Sequence, residues 1–142
     1  MTLQETIDRA IHPLVMLEED SAAYRPAAGR WSKKEILGHL IDSALNNHQR
    51  FVRAQFDAEF VFPSYEQERW VTAQRYQDTA WEELVGLWLA LNRHLARVIA
   101  AIPPEALGHR VALGGRAPVT LEWLIEDYQR HLQHHLAQIL DH

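Results

Sequence analysis

Four long segments of this 142-residue chain repeat their apolar residues every three to four positions, and capping or stop signals mark most of their ends. No comparable stretch alternates apolar and polar residues, and the one weak strand-like hint is Arg110-Val111-Ala112-Leu113. These features predict an all-α fold: a four-helix bundle with partly long connections, occupying residues 1–142 as one domain.

The first helix runs from about Thr2 to Leu17, with Leu3, Ile7, Ala10, Ile11, Leu14 and Leu17 on its apolar side. Pro13 deletes a backbone donor within it and is expected to kink it. A connection from about Asp20 to Arg30 carries Pro26 and Gly29. The second helix opens at Ser32-Lys33-Lys34-Glu35, where Ser32 and Glu35 satisfy each other's free amides and Trp31 staples onto Ile36. Its stripe of Ile36, Leu37, Leu40, Ile41, Ala44, Leu45, Phe51 and Val52 ends near Arg53.

Residues 54–75 hold Phe56, Phe60, Phe62, Tyr65 and Trp70 around Pro63. They are too apolar for a free loop and not cleanly periodic, which predicts a packed crossover with a short helix. Thr79-Ala80-Trp81-Glu82 reads as another capping box. It opens a third helix through Trp81, Leu84, Val85, Trp88, Leu91, Leu95, Val98 and Ile102, stopped by Pro103-Pro104. After a stretch with Gly108, Gly114, Gly115 and Pro118, Thr120 caps a fourth helix from Leu121 to about Leu140.

Composition narrows the chemistry. Fourteen basic against nineteen acidic residues leave a net charge of −5, which gives no broad positive field for a nucleic-acid backbone. The absence of cysteine excludes disulfides, thiolate nucleophiles, iron–sulfur clusters and cysteine zinc sites, so any metal rests on His, Asp or Glu. The N-terminus lacks a signal-peptide pattern, and the longest apolar run, Leu87 to Leu91, is too short to span a membrane. A cytoplasmic protein is expected. Nine histidines are about three times the number that ordinary usage supplies.

Two of those histidines, His131 and His135, stand four residues apart at the edge of the apolar stripe of the fourth helix. Imidazoles one turn apart can converge on one metal ion, or else serve as core-edge side chains bonded to neighbouring helices. On the second helix His39 aligns with Ser43, Asn46 and Arg50 on a polar strip separate from the apolar stripe. That strip reads either as a solvated face or as the wall of an internal cleft beneath the aromatic crossover. His134 points away from His135, His109 lies in a loop, His142 is the last residue, and His12, His48 and His94 have no partner at helical spacing; structural or solvated roles are expected for these. The Glu-x-x-His pairs of carboxylate-bridged di-iron bundles are absent, as are the zincin His-Glu-x-x-His and the glycine cradles of nucleotide sites.

The ordered set Trp31-Ser32, Gly38-His39-Leu40-Ile41-Asp42-Ser43, Asn46-Asn47, Arg50-Phe51, Gln67-Glu68-Arg69-Trp70-Val71 and Asp127-Tyr128-x-x-His131-x-x-His134-His135-Leu136-x-Gln138-Ile139 resembles the DinB/YfiT-like superfamily over residues 25–140. The resemblance implies an up-down-down-up four-helix bundle, often dimeric, with one divalent metal on three histidines. By position these are His39, His131 and His135, which favours the cleft reading of the second helix. Branches of that superfamily include S-transferases and an isomerase that use bacillithiol or mycothiol, beside members regarded as metal-dependent hydrolases.

Three neutral imidazoles on Zn²⁺, Ni²⁺ or another divalent ion leave at least one position open, the arrangement of a catalytic rather than a closed structural site. An enzyme acting on a small-molecule substrate is therefore expected, either a transferase using a low-molecular-weight thiol or a hydrolase. Asn46, Asn47, Arg50 and Asp127 are candidates to orient the substrate or a ligating imidazole. The rival reading is a non-catalytic helical-bundle homodimer in which any metal is structural or vestigial.

Overall fold

Thr2 begins the first element as the sequence chemistry dictates: its hydroxyl accepts from the Glu5 amide and Glu5 accepts from the Thr2 amide, so two free donors of the helix start are satisfied reciprocally. The computed structural model describes residues 1–141; His142 lies outside them. Helix α1 spans Leu3–Met16 with Pro13 inside it, and a short helix α2, Glu19–Ala23, occupies part of the expected connection. Helix α3, Lys33–Arg53, starts at the Ser32–Glu35 capping box and ends where its stripe does. Strand β1, Glu59–Phe62, and helix α4, Gln67–Ala73, form the aromatic crossover. Helix α5 covers Trp81–Ala100. Strands β2, Arg110–Leu113, and β3, Val119–Thr120, lead into helix α6, Leu121–Leu140, whose Trp123 amide is capped by Thr120.

The start of α5 departs from expectation. Ala80, not Thr79, is its N-cap, and the Thr79 hydroxyl is turned back toward the Arg75 carbonyl. The Trp81 amide donates instead to Glu19 Oε1 of α2, 2.9 Å away. A carboxylate from a distant segment thus does the capping, a tertiary substitution that no local pattern carries.

The four long helices bury their stripes in one core, in which Ile7, Leu14, Leu37, Ile41, Trp88, Leu95, Leu132 and Ile139 are almost wholly enclosed. Leu45, assigned to the inner stripe by spacing, is 41 % exposed. Helix α3 packs along α5 and α6, and α1 packs along the same two. Of the successive long helices, α1 and α3 lie diagonally across the bundle, as do α5 and α6, whereas α3 and α5 are neighbours. The chain crosses the bundle twice to achieve this, on residues 17–32 and 101–120. The arrangement sets α3 beside α6, which is the pairing that brings His39 to the two histidines of the last helix.

A three-stranded sheet fastens the aromatic crossover to the segment 101–120. Strand β1 pairs in parallel with β2, Glu59 opposite Arg110 through Phe62 opposite Leu113, and β3 pairs antiparallel with β2. The hint at residues 110–113 is a strand; β1 was not foreseen, because its partner is some fifty residues away and four residues give no readable period. No helix among the described residues is long and apolar enough to cross a membrane.

Candidate metal centre

Starting α3 at Ser32 carries His39 into the bundle, where it is 1 % exposed. The polar strip that it heads is no solvated face: Ser43, Asn47 and Arg50 are buried and Asn46 half-buried. The backbone next to His39 is held from the crossover side. A Cβ on Gly38 would stand 2.1 Å from Cδ2 of Tyr76, so only glycine lets that ring lie on the helix. Tyr76 in turn donates its hydroxyl to Asp42 Oδ1 at 2.7 Å, and Gln74 Nε2 donates to the same oxygen at 2.8 Å. Burial raises the pKa of Asp42 against the lowering effect of these two bonds.

His131 and His135 come from consecutive turns of α6, their ring centroids 4.5 Å apart. Each ring centroid lies 4.9 Å from that of His39, and the Nε2 atoms of His39 and His131 approach to 3.0 Å. One ligand atom from each of the three rings falls within 4.8 Å of the others. The Trp31 ring lies beside His39, their centroids 5.2 Å apart. His135 Nδ1 lies 2.8 Å from Gln138 Oε1; donation there fixes the tautomer in which Nε2 keeps its lone pair.

Electrostatics keeps these rings neutral. Burial is the main cause that pulls His39 down to about 4, assisted by the two neighbouring imidazoles. His131 is likewise pulled down to about 4, first by burial and then by His135, against an upward pull from Asp127. His135 is lowered by burial as well, opposed by its bond to Gln138. Three uncharged nitrogen donors converge, with no carboxylate among them. That set fits a borderline transition ion such as zinc or nickel, and not calcium or magnesium, which require oxygen ligands.

Two spaces meet the cluster. His135 lines an open groove of about 960 Å³ together with Trp31, Ile36, Tyr24 and Gln138. His131 lines a smaller cavity of about 220 Å³ with Asn47, Arg50, Asp127, Tyr65 and Arg116. Of the four orienting candidates, Asn47, Arg50 and Asp127 thus reach the second space. Asn46 does not; its amide donates to the Asp42 carbonyl. Tyr65 and Arg116 were missed by sequence reasoning because they lie on crossover segments without periodicity. They reach the cavity next to β1 and β2.

The other histidines are placed elsewhere. His12, His94 and His134 are exposed, and His109 binds the Ala54 carbonyl at 2.7 Å, tying the second crossover to the end of α3. His48 has a neighbour that helical spacing does not reveal, since its ring lies 5.3 Å from that of His94 across the α3–α5 interface.

A four-helix bundle with its second and last long helices side by side and three neutral imidazoles between them defines a class of helical proteins suited to a divalent transition metal. The chain belongs to the DinB superfamily, whose profile it matches over residues 2–139. It is 25% identical over 122 residues to a candidate metal-dependent hydrolase of Oceanobacillus iheyensis, a match covering 86% of this chain and 69% of that one. In fold it is similar to YfiT from Bacillus subtilis, described as a candidate metal-dependent hydrolase with an unusual four-helix bundle topology. The TM-score there is 0.87 at 17% identity, over 98% of this chain and 80% of YfiT. It is also similar in fold to the mycothiol-dependent maleylpyruvate isomerase, with a TM-score of 0.75 at 14% identity, over 98% of this chain and 61% of the isomerase.

Proposed function

We propose that this protein is a metal-dependent enzyme that joins two small-molecule reactants at a mononuclear centre held by His39, His131 and His135, and that the reaction is an S-transfer from a low-molecular-weight thiol. The observation that carries the reading is the position of the three imidazoles between two separate spaces, His135 facing the groove and His131 the cavity. A divalent cation, zinc or nickel, supplies Lewis acidity that lets a thiol or a water lose its proton near neutral pH.

The chain's own groups do the rest. The groove admits the thiol, with Trp31 and Ile36 offering apolar contact along its wall. Neutral His39, buried at the base, holds its ring in place against Trp31 and the two rings of α6. Gln138 orients His135. The cavity positions the electrophile, so that the thiol sulfur forms the new bond while the leaving group departs with the electron pair and the proton passes to solvent. The absence of cysteine from the chain agrees with a sulfur that arrives as a reactant.

Hydrolysis of an ester or amide is the second reading, favoured by the names of two of the relatives. A screen of tag-free, metal-loaded protein against model electrophiles, with and without low-molecular-weight thiols, separates the two. Turnover only with thiol supports transfer; turnover without thiol supports hydrolysis. The protein is proposed to act as a cytoplasmic homodimer.

A further inference from the structure

Arg50 is 9 % exposed and its charge meets no ion-pair partner among the described residues. Among the described residues the ion pairs are Arg25–Glu35, Lys34–Glu19, Arg69–Glu66 and Arg130–Asp127, so Arg50 belongs to none. A guanidinium stays protonated under all ordinary conditions, and enclosing it without an anion is costly. Its burial lowers its pKa, and no carboxylate opposes that effect. A bound anion would complete the pair and offset that cost.

The surroundings point the same way. Arg50 lines the small cavity that ends at His131, and the other charged groups there are Arg116 and Asp127. Two guanidinia against the single carboxylate of Asp127, which also meets Arg130 at 3.4 Å, leave the cavity with an excess of positive charge. Tyr65, held neutral with its pKa pushed up to about 12 by burial, keeps a hydroxyl proton to donate. At about 220 Å³ the space is smaller than a drug-sized ligand requires. We infer that this cavity binds a carboxylate of the substrate on the Arg50 guanidinium, beside the three-histidine centre, and that the substrate is a small organic acid. A planar fork of donors matches a carboxylate in two-point contact.

This inference rests on the reading of the cavity as the space for one of two reactants, and its test is read by binding. Succinate, succinamide and inorganic phosphate are titrated into tag-free protein, zinc-loaded and chelated, with thermal unfolding and titration calorimetry as readouts. Succinate is expected to raise the melting temperature of the wild type, while succinamide leaves it unchanged. Arg50→Met keeps the aliphatic stem and removes the charge; it is expected to weaken succinate binding at least about tenfold without lowering the melting temperature of the ligand-free protein. Arg50→Lys keeps the charge, loses the fork and is expected to bind with intermediate affinity, which preserves the test if the methionine variant does not fold. Succinate binding unaffected by both variants, or binding of phosphate in preference to succinate, overturns the inference. Zinc binding without Arg50-dependent succinate binding defeats it while sparing the metal centre. Arg50-dependent succinate binding in protein that takes up no zinc upholds it and defeats the metal centre instead.

Discussion

His39 on α3 and His131 on α6, 92 residues apart in the chain, bring their Nε2 atoms to 3.0 Å of each other across a helix interface. Between two neutral rings one proton can serve that contact, whereas a cation satisfies both lone pairs at once. A metal held there cross-links helices that no local connection joins, so it favours the folded chain. Zinc at a free concentration a hundred times its dissociation constant is expected to add about 2.7 kcal/mol of stability. Chelation returns the protein to a lower melting temperature, but the core around Leu37, Trp88 and Leu132 keeps it helical. Circular dichroism melts with zinc and with chelator check this; identical curves contradict it.

The metal-free chain is expected to lose stability on acidification. His39 and His131 titrate at about 4 in the fold, against 6.5 for an unperturbed histidine. Between those values the unfolded chain binds more protons, so stability is full above about pH 6.5, falls as the pH drops and levels off, for these two groups, below about 4. Urea midpoints measured in chelator from pH 7.5 to 4 report it. Replacing His131 by Leu should flatten part of the slope; an unchanged slope refutes the assignment.

Gly38→Ala tests the support behind His39. The new methyl would strike the Tyr76 ring, and the expected loss is about 1–3 kcal/mol despite the better helix propensity of alanine. Adding Tyr76→Ala removes the obstacle, so the double variant should be less destabilised than the sum of the single effects. Strict additivity in chemical denaturation would show that the ring and the glycine are not coupled.

Gln138→Leu removes the partner of His135 Nδ1 without changing an imidazole. Metal affinity is expected to fall about 10- to 100-fold, with helix content unchanged. Cobalt titration followed by visible absorption measures it, and wild-type affinity in this variant would mean that the ring is oriented by other contacts.

What the sequence disclosed was whatever local chemistry encodes. Ser32 with Glu35 and Thr120 marked two helix starts because caps act over three residues, and the spacing of His131 and His135 placed both on one face because helical geometry fixes it. The face of His39 was ambiguous on its own helix, since a polar strip looks the same toward water or toward a cleft. The resemblance of the ordered motifs favoured the cleft, and the packing of α3 against α6 buries the strip. Strand β1, the Glu19 cap on Trp81 and the cavity residues Tyr65 and Arg116 each depend on a partner far away in sequence, which periodicity does not register.

Metal content of tag-free protein purified without a nickel column bears most directly on the three-histidine centre. Elemental analysis, with anomalous diffraction to locate the ion, is expected to find one divalent transition metal per chain bound by His39, His131 and His135, and to find it lost in His131→Ala. Full occupancy in that variant, or a metal located away from the three rings, would contradict the account.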